Sequence, residues 1–476
     1  MDFTLRDYQL QAEHDIRQCY RSGKRAVCLV MPTGAGKTRT FCSTASQSVS
    51  RGKRVLILVH RKELLLQTSR TLESVGLSHG LIAPGITFNH RAPIQVASVQ
   101  TLVRRLDVIN WSPDFIIVDE AHHATRKTIW GQILNHFNHA YMLGVTATPQ
   151  RLDGHGLGVN SGGFFDSMVT GPSVRELTRR GFLSPSVVYA PKDRIDLSGV
   201  SIQGGDYKKN ALADVMANPA IVGNAVDHYR KYCHQQPAIA FCASVSRAEE
   251  AAVAFKSAGY SAACVSGQTD DKIRAKLIAD LGNGQLNVLT SCNIVSEGTD
   301  IPVVSAAILL RPTQSLALAL QQMGRVLRPH KDKTHATILD HAGNVFVHGF
   351  PDDDREWSLD AKPSRGKKTN NALPMKQCDR CFTVHRPAPI CPQCGYVYPI
   401  ASREITELNG ELSIVTSAQI IELKPESKRA EQANQRTLND LIELAKRRGY
   451  KHPRAWAQHI FDSRTIKQQK SFGVNK

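Results

Sequence analysis

Residues 26–38 read AVCLVM followed by PTGAGKT, an apolar run that breaks into a glycine-rich turn, and a stretch of helical texture comes next. No other feature constrains the fold as strongly. A short strand that is apolar throughout must be covered on both faces, so strand, turn and helix together predict a parallel sheet flanked by helices. The turn has its own chemistry. Gly34 and Gly36 let successive backbone N–H groups close around an anion, with Thr33 and Ala35 as the other loop positions. Lys37 neutralises the outer oxygens of a triphosphate, and the Thr38 hydroxyl is placed to ligate Mg²⁺. Met31 stands where the broader pattern usually has Gly or Ala.

The rest of the first 345 residues repeats this alternation. Strand candidates are 26–31, 54–60, 94–99, 114–119 and 141–147, and then 238–243, 262–267, 286–291 and 306–311. The stretch between the two sets, about 150–185, is rich in Gly, Ser and Arg and joins two sheet domains, expected over 1–175 and 185–348. Beyond 344 the texture changes. Residues 349–376 are charged and broken by Pro, and predict a linker. A cysteine cluster fills 377–399. Region 400–476 is basic and partly helical, with one helix expected over 438–449.

DFIIVDEAHH (114–123) ends an apolar run in two carboxylates. Asp119 can hold the Mg²⁺ shell, and Glu120 can orient or deprotonate an attacking water. Phosphoryl transfer asks mainly for positioning and charge neutralisation, so a lysine and two such acids suffice. Sixty Lys plus Arg against forty-two Asp plus Glu give a net charge of +18. That balance fits a polyanionic partner but says nothing about fold. No run of about 18 apolar residues is present, which excludes a membrane-spanning helix. The start, MDFTLRDYQLQAEHD, is not a secretory signal. The default location is the cytoplasm, of a bacterium or a phage-infected host. Seven scattered cysteines read as small buried hydrophobes in a reducing compartment.

GAGKT (34–38), DEAH (119–122), TATP (146–149) and QQMGRVLR (321–328) occur in that order, and the chain over residues 3–345 resembles the superfamily 2 helicases. TATPQRLDGHGLG (146–158) and RELTRRGFLSP (175–185) are similar to bacterial and phage DEAD/DEAH-box helicases of the RadD type. The resemblance implies two tandem RecA-like parallel-sheet domains and an ATP-driven motor on DNA. In LRDYQ (5–9) it implies that Gln9 reads the adenine edge while Tyr8 or Arg6 flanks the ring. It places Gly298 and Asp300 on nucleotide and Thr290 toward the nucleic-acid backbone. Gln321 would lie near the γ-phosphate, and Arg325 and Arg328 would stabilise the anionic transition state as guanidinium forks. Because both arginines belong to the second domain, hydrolysis would require the two domains to close. Thr146, Thr148 and His122 would couple the ATP site to the track, with His122 reaching Gln321. Arg61, Ser98 and Gln100 are candidates for phosphodiester contacts without sequence preference.

Cys378 and Cys381, then Cys391 and Cys394, are two CxxC knuckles nine residues apart. Four thiolates so spaced predict a closed, structural Zn²⁺ site, and in a segment too small for its own core the metal supplies much of the folding free energy. Disulfides are the rival expectation. The module would grip DNA or a DNA-processing protein partner. From Lys446 to the end, nine Lys or Arg face one acid, with Tyr450, Trp456 and Phe461 among them, a pattern that suits base stacking. Three other functions fit the same motor: the motor subunit of a restriction system with its nuclease elsewhere, an RNA helicase, and an ATP-gated clamp. No nuclease constellation stands out in 345–476.

Overall fold

The computed structural model describes residues 4–151, 155–191, 200, 202–203, 206–207, 212, 219–292, 301–360, 375–398, 435, 437–448, 452–458 and 460–462. It divides into a unit of Met1–Pro399 and a unit of Ile400–Lys476.

The larger unit is built on two sheets. The first comprises β1 (Ala26–Val30), β2 (Val55–Val59), β3 (His79–Ile82), β4 (Ile94–Ser98), β5 (Phe115–Asp119), β6 (Tyr141–Thr146) and β7 (Ser167–Thr170). Their spatial order is β3-β4-β2-β5-β6-β1-β7, and every pairing is parallel. β8 (Ser186–Tyr189) opens the second half. A small antiparallel pair, β9 (Ile202–Gln203) with β10 (Asp206–Tyr207), comes after it. Next come β11 (Ala238–Cys242), β12 (Ala262–Val265), β13 (Val288–Ser291), β14 (Ala306–Leu310) and β15 (Ala336–Asp340). The hairpin β16 (Lys376–Gln377) and β17 (Thr383–His385) completes the set. The second sheet runs β12-β13-β11-β14-β15-β8-β17-β16. Over its six parallel strands it repeats the order of β3-β4-β2-β5-β6-β1, so the unit is two tandem RecA-like domains.

The inner strands are buried along their whole length, as parallel strands covered on both sides must be. The helices that frame the functional residues are α1 (Asp7–Arg21), α2 (Lys37–Val49), α3 (Lys62–Ser74), α4 (Asp271–Gly282) and α5 (Leu316–Gly324). The smaller unit, taken by itself, contains α6 (Leu438–Arg447). Leu64, Leu65 and Leu72 of α3 recur at helical spacing and face the first sheet. Burying each side chain of this kind stabilises by about 1.5–3 kcal/mol. α6 begins in a reciprocal cap, in which Thr437 accepts from the Asp440 amide and Asp440 accepts from the Thr437 amide. Among the described residues, no helix is long and apolar enough to cross a membrane.

Two segments pack more closely than their composition suggests. Residues 350–360, within the expected linker, form a packed strap. The Arg355 guanidinium is largely buried and donates to the His348, Phe350 and Asp353 carbonyls. Trp357 and Leu359 then join the first domain's core, where Leu359 O accepts from Gly158 N at 2.9 Å. Apolar Trp and Leu hidden among acids carried that signal, and the charge of the segment masked it. Nor does the cysteine segment stand apart. β17 pairs antiparallel with β8, Val384 is buried in the main core, and Gln377 Nε2 donates to Ala190 O at 2.6 Å. The hairpin therefore extends the second sheet.

Candidate nucleotide site and track-facing cluster

The phosphate loop leaves β1 and enters α2, so Lys37 and Thr38 occupy the first turn of a helix whose free N–H groups favour an anion. Gly34 and Gly36 have φ values of 86° and 83°, where a side chain is strained. A Cβ at Gly36 would also collide with the Gln9 amide. The Tyr8 hydroxyl and Gln9 Nε2 both donate to Ala35 O, at 3.0 and 3.1 Å, while Gln9 Oε1 accepts from Arg6 N. Tyr8 and Gln9 thus brace the loop from behind. Arg6 lies over the Phe182 ring, 4.4 Å from its centre.

Lys37 is half-buried, with Nζ 3.3 Å from Met31 O and 3.4 Å from Pro32 O. Burial lowers its pKa, the nearby Glu120 and Asp119 carboxylates oppose that shift, and Arg325 and Arg328 add to it. All four charges therefore sit close enough to act on one ammonium. Asp119 ends β5, and Oδ1 accepts the Glu120 amide at 3.0 Å. Glu120 adopts left-handed backbone at φ 50°, an uncommon conformation for a side-chain-bearing residue. Its Oε2 lies 3.4 Å from His122 Nδ1. His122 Nδ1 also meets Thr146 Oγ1 at 3.0 Å, and Thr146 in turn bonds both the amide and the carbonyl of Thr148. The three residues expected to couple the sites thus form one continuous bonded group.

Arg325 and Arg328 line the same cleft as Thr33, Lys37, Asp119 and Glu120, a space of about 860 Å³ between the two domains. The second domain presses on the loop directly. A Cβ at Gly324 would fall 2.8 Å from Thr33 Cβ, and one at Gly34 would fall 2.9 Å from Leu183 Cδ2. Gln321, also on α5, is buried, and its Nε2 has no hydrogen-bond partner among the described residues. The outer lip of the cleft is tied by Lys62–Asp271 at 2.5 Å and by Glu63–Arg274, which join α3 to α4. Gly298 and Asp300 lie outside the described residues.

A glycine cradle, a half-buried lysine and an unpartnered buried amide suit a magnesium–nucleotide. The cysteine thiols suit zinc equally well. All four Sγ atoms lie within 4.8 Å of one another, with Cys378–Cys394 at 3.6 Å and Cys381–Cys391 at 3.7 Å. Zn–S bonds of about 2.3 Å in a tetrahedron put sulfurs about 3.8 Å apart, whereas a disulfide needs about 2.05 Å. Each knuckle is closed by a backbone bond, Phe382 N to Cys378 O and Gly395 N to Cys391 O.

The residues proposed for the track divide. Arg61, Ser98 and Gln100 meet where β2 and β4 end side by side: Ser98 Oγ donates to Gln100 Oε1 at 2.9 Å, and Gln100 Nε2 donates to His60 O at 3.0 Å. Thr290 does not join them. It is fully buried, and its hydroxyl donates to Ala248 O at 2.6 Å beneath the helix Val245–Ser257, so it presents nothing to a ligand. Sequence reading also passed over Gly324, Leu183 and the Lys62–Glu63 pair. No local pattern marks the contact of Gly324, the last residue of α5, with the loop.

Comparison with known proteins agrees with this geometry. The model of the type III restriction enzyme res subunit matches residues 2–151, and that of the helicase conserved C-terminal domain matches 224–330. The chain is 32% identical to a 51.5 kDa protein of a Lactococcus phage, over 82% of each chain. It is 30% identical to IRC3 of Saccharomyces cerevisiae over 72% of this chain but only 52% of that protein, about half its length. The fragment structure assigned to an HsdR subunit of a type I restriction enzyme from Vibrio vulnificus superposes with a TM-score of 0.56 at 22% identity, covering 72% of this chain and 66% of that one. With both helicase domain models matched in order, and the phosphate loop, the DEAH acids and the QQMGRVLR arginines lining one cleft, the chain belongs to the superfamily 2 helicases.

Proposed function

We propose that this chain is an ATP-dependent DNA helicase or translocase that serves repair, recombination or replication. One observation carries the reading: Lys37, Asp119 and Glu120 of one domain share a cleft with Arg325 and Arg328 of the other. Lys37 and the loop amides would hold the phosphates, and Thr38 and Asp119 would hold Mg²⁺, which supplies charge neutralisation at the transferring group. Glu120 orients the attacking water and accepts its proton. Arg325 and Arg328 place guanidinium charge on the oxygens that become more anionic in the transition state. Since α5 reaches the loop only across the domain boundary, hydrolysis and closure are one event, and repeated closure moves the track.

DNA is favoured over RNA because the matched first-domain model and the HsdR neighbour come from restriction enzymes, and the net charge of +18 suits a polyanion. The zinc hairpin, fused to the second sheet, would carry a further grip on DNA or on a DNA-processing protein. The same restriction likeness supports a second reading, a motor subunit that moves DNA for a separate nuclease. Third-strand displacement from a triplex, with forked duplex in parallel and Lys37→Ala as control, tests both. ATP-dependent displacement by the isolated chain supports the first reading. Displacement only after a partner subunit is added supports the second, and displacement from RNA duplexes alone refutes DNA as the track.

A further inference from the structure

A column of three imidazoles runs from the Glu120 carboxylate to the cluster at the ends of β2 and β4. His122 and His123 have ring centres 4.2 Å apart, and His123 and His60 4.7 Å. His60 also meets the Trp130 ring at 6.4 Å. His60 belongs to the track-facing cluster, since Arg61 Nε donates to His60 Nε2 at 3.2 Å and Gln100 Nε2 to its carbonyl. At the other end His122 Nδ1 faces both Thr146 and Glu120.

Hydrogen bonding fixes the ring orientations. Thr146 has one O–H, which it gives to Thr148 O, and its oxygen also accepts from Thr148 N. The contact at His122 Nδ1 is therefore an N–H donated by the imidazole. An arginine can only donate, so His60 Nε2 is the acceptor in its contact with Arg61. His123 lies between these two held rings. A packed column of this kind passes displacement on, because close-packed interiors yield little to compression. The end point is sensitive, because Glu120 stands on left-handed backbone that the surrounding contacts must hold in place.

We propose that His123 is a positioning residue: it transmits engagement of an anionic phosphodiester backbone at Arg61, Ser98 and Gln100 to the water-orienting carboxylate of Glu120. The inference rests on the proposed motor function and names the route by which that motor senses its track. The ring packing of His123, and not its titration, does the transmitting.

The test uses the full chain and saturating single-stranded DNA. ATP turnover is measured with and without DNA for the wild type, His123→Ala and His123→Phe, together with KM for ATP and Kd for a fluorescent oligonucleotide. Coupling between sites typically corresponds to about 5- to 150-fold, so His123→Ala should lower the stimulated-to-basal ratio by about tenfold. Basal turnover, KM and Kd should stay within about twofold, a split that a merely structural role would not produce. His123→Phe keeps an aromatic ring in the column and should retain at least about half of the stimulation, which also covers an alanine variant that fails to fold. Full stimulation in His123→Ala overturns the proposal, as does an equal loss of basal and stimulated rates, or a phenylalanine variant as defective as alanine. A wild type that no nucleic acid stimulates refutes the motor reading and takes the inference with it; a stimulated wild type with an unaffected His123→Ala refutes the inference alone.

Discussion

Gly324→Ala isolates the contact between the two domains. An alanine there should favour α5 locally by up to about 1 kcal/mol, since glycine is the poorer helix former. Across the cleft its Cβ would lie 2.8 Å from Thr33 Cβ and 3.2 Å from Thr33 Cγ2. Comfortable carbon contact is about 3.5 Å, so α5 and the phosphate loop must part by about 0.7 Å, the difference between 2.8 and 3.5. Thr33 is short and branched and cannot swing away as a long side chain would. Arg325 comes immediately after on the helix and moves with it. Misplacement on the order of 1 Å costs about 100-fold in rate, or about 2.7 kcal/mol in the barrier. We expect kcat to fall by about 10- to 100-fold, with ATP affinity within about threefold because Lys37 and the glycines that cradle the phosphates are unchanged. DNA-stimulated turnover, titration of a fluorescent nucleotide and thermal unfolding measure the three effects. A variant with wild-type kcat would show that the domains do not meet here during hydrolysis. A loss explained wholly by ATP binding or by unfolding would refute the reasoning equally.

The lip of the cleft should behave as an ionic clasp. Arg274→Glu faces Glu63 with a like charge and should raise KM for ATP by about fivefold, while the swap Glu63→Arg/Arg274→Glu restores most of the loss. Elemental analysis should find one zinc per chain. Cys391→Ser should lose that zinc and lower the melting temperature of the second domain, because the hairpin completes its sheet; less than about half an equivalent of zinc in freshly purified protein counts against the site. Burial raises the Asp340 carboxyl to about 6 from an ordinary 3.8, although the Val345 amide opposes this. The folded state then holds its proton more tightly, so the contribution of Asp340 is full below pH 4 and is lost as pH rises through 6. Asp340→Asn should remove that slope and stabilise by about 1–3 kcal/mol above pH 7, read from unfolding midpoints across pH.

Much of the fold was legible because it is written as local alternation. Nine apolar runs marked nine buried parallel strands within a residue or two at each end. Most of the strands that escaped carry a weaker signal, although the fully buried ATILD of β15 was missed as well. HGLI at β3, SMVT at β7 and SVVY at β8 are four-residue segments, two of them at or beside a sheet edge. β16 and β17 are shorter still, and their place on β8 depends on pairing between residues almost two hundred apart. The loop lysine, the two acids and the cysteine quartet were legible because each chemistry demands particular residues at fixed spacing. Contacts across the cleft were not, since no local pattern ties Gly324 to Thr33 or Arg274 to Glu63. Thr290 fails for a related reason. Its motif position suggested a track contact, but its side chain points beneath the helix Val245–Ser257, and strand sidedness depends on packing that the motif does not encode.

The measurement that bears most directly on a DNA-driven motor is ATP hydrolysis with single-stranded, duplex or forked DNA, or RNA, added in turn, with Lys37→Ala alongside. Strong stimulation by a form of DNA, abolished in Lys37→Ala, is the predicted result. Turnover that no DNA form raises, or that survives in Lys37→Ala, would contradict it.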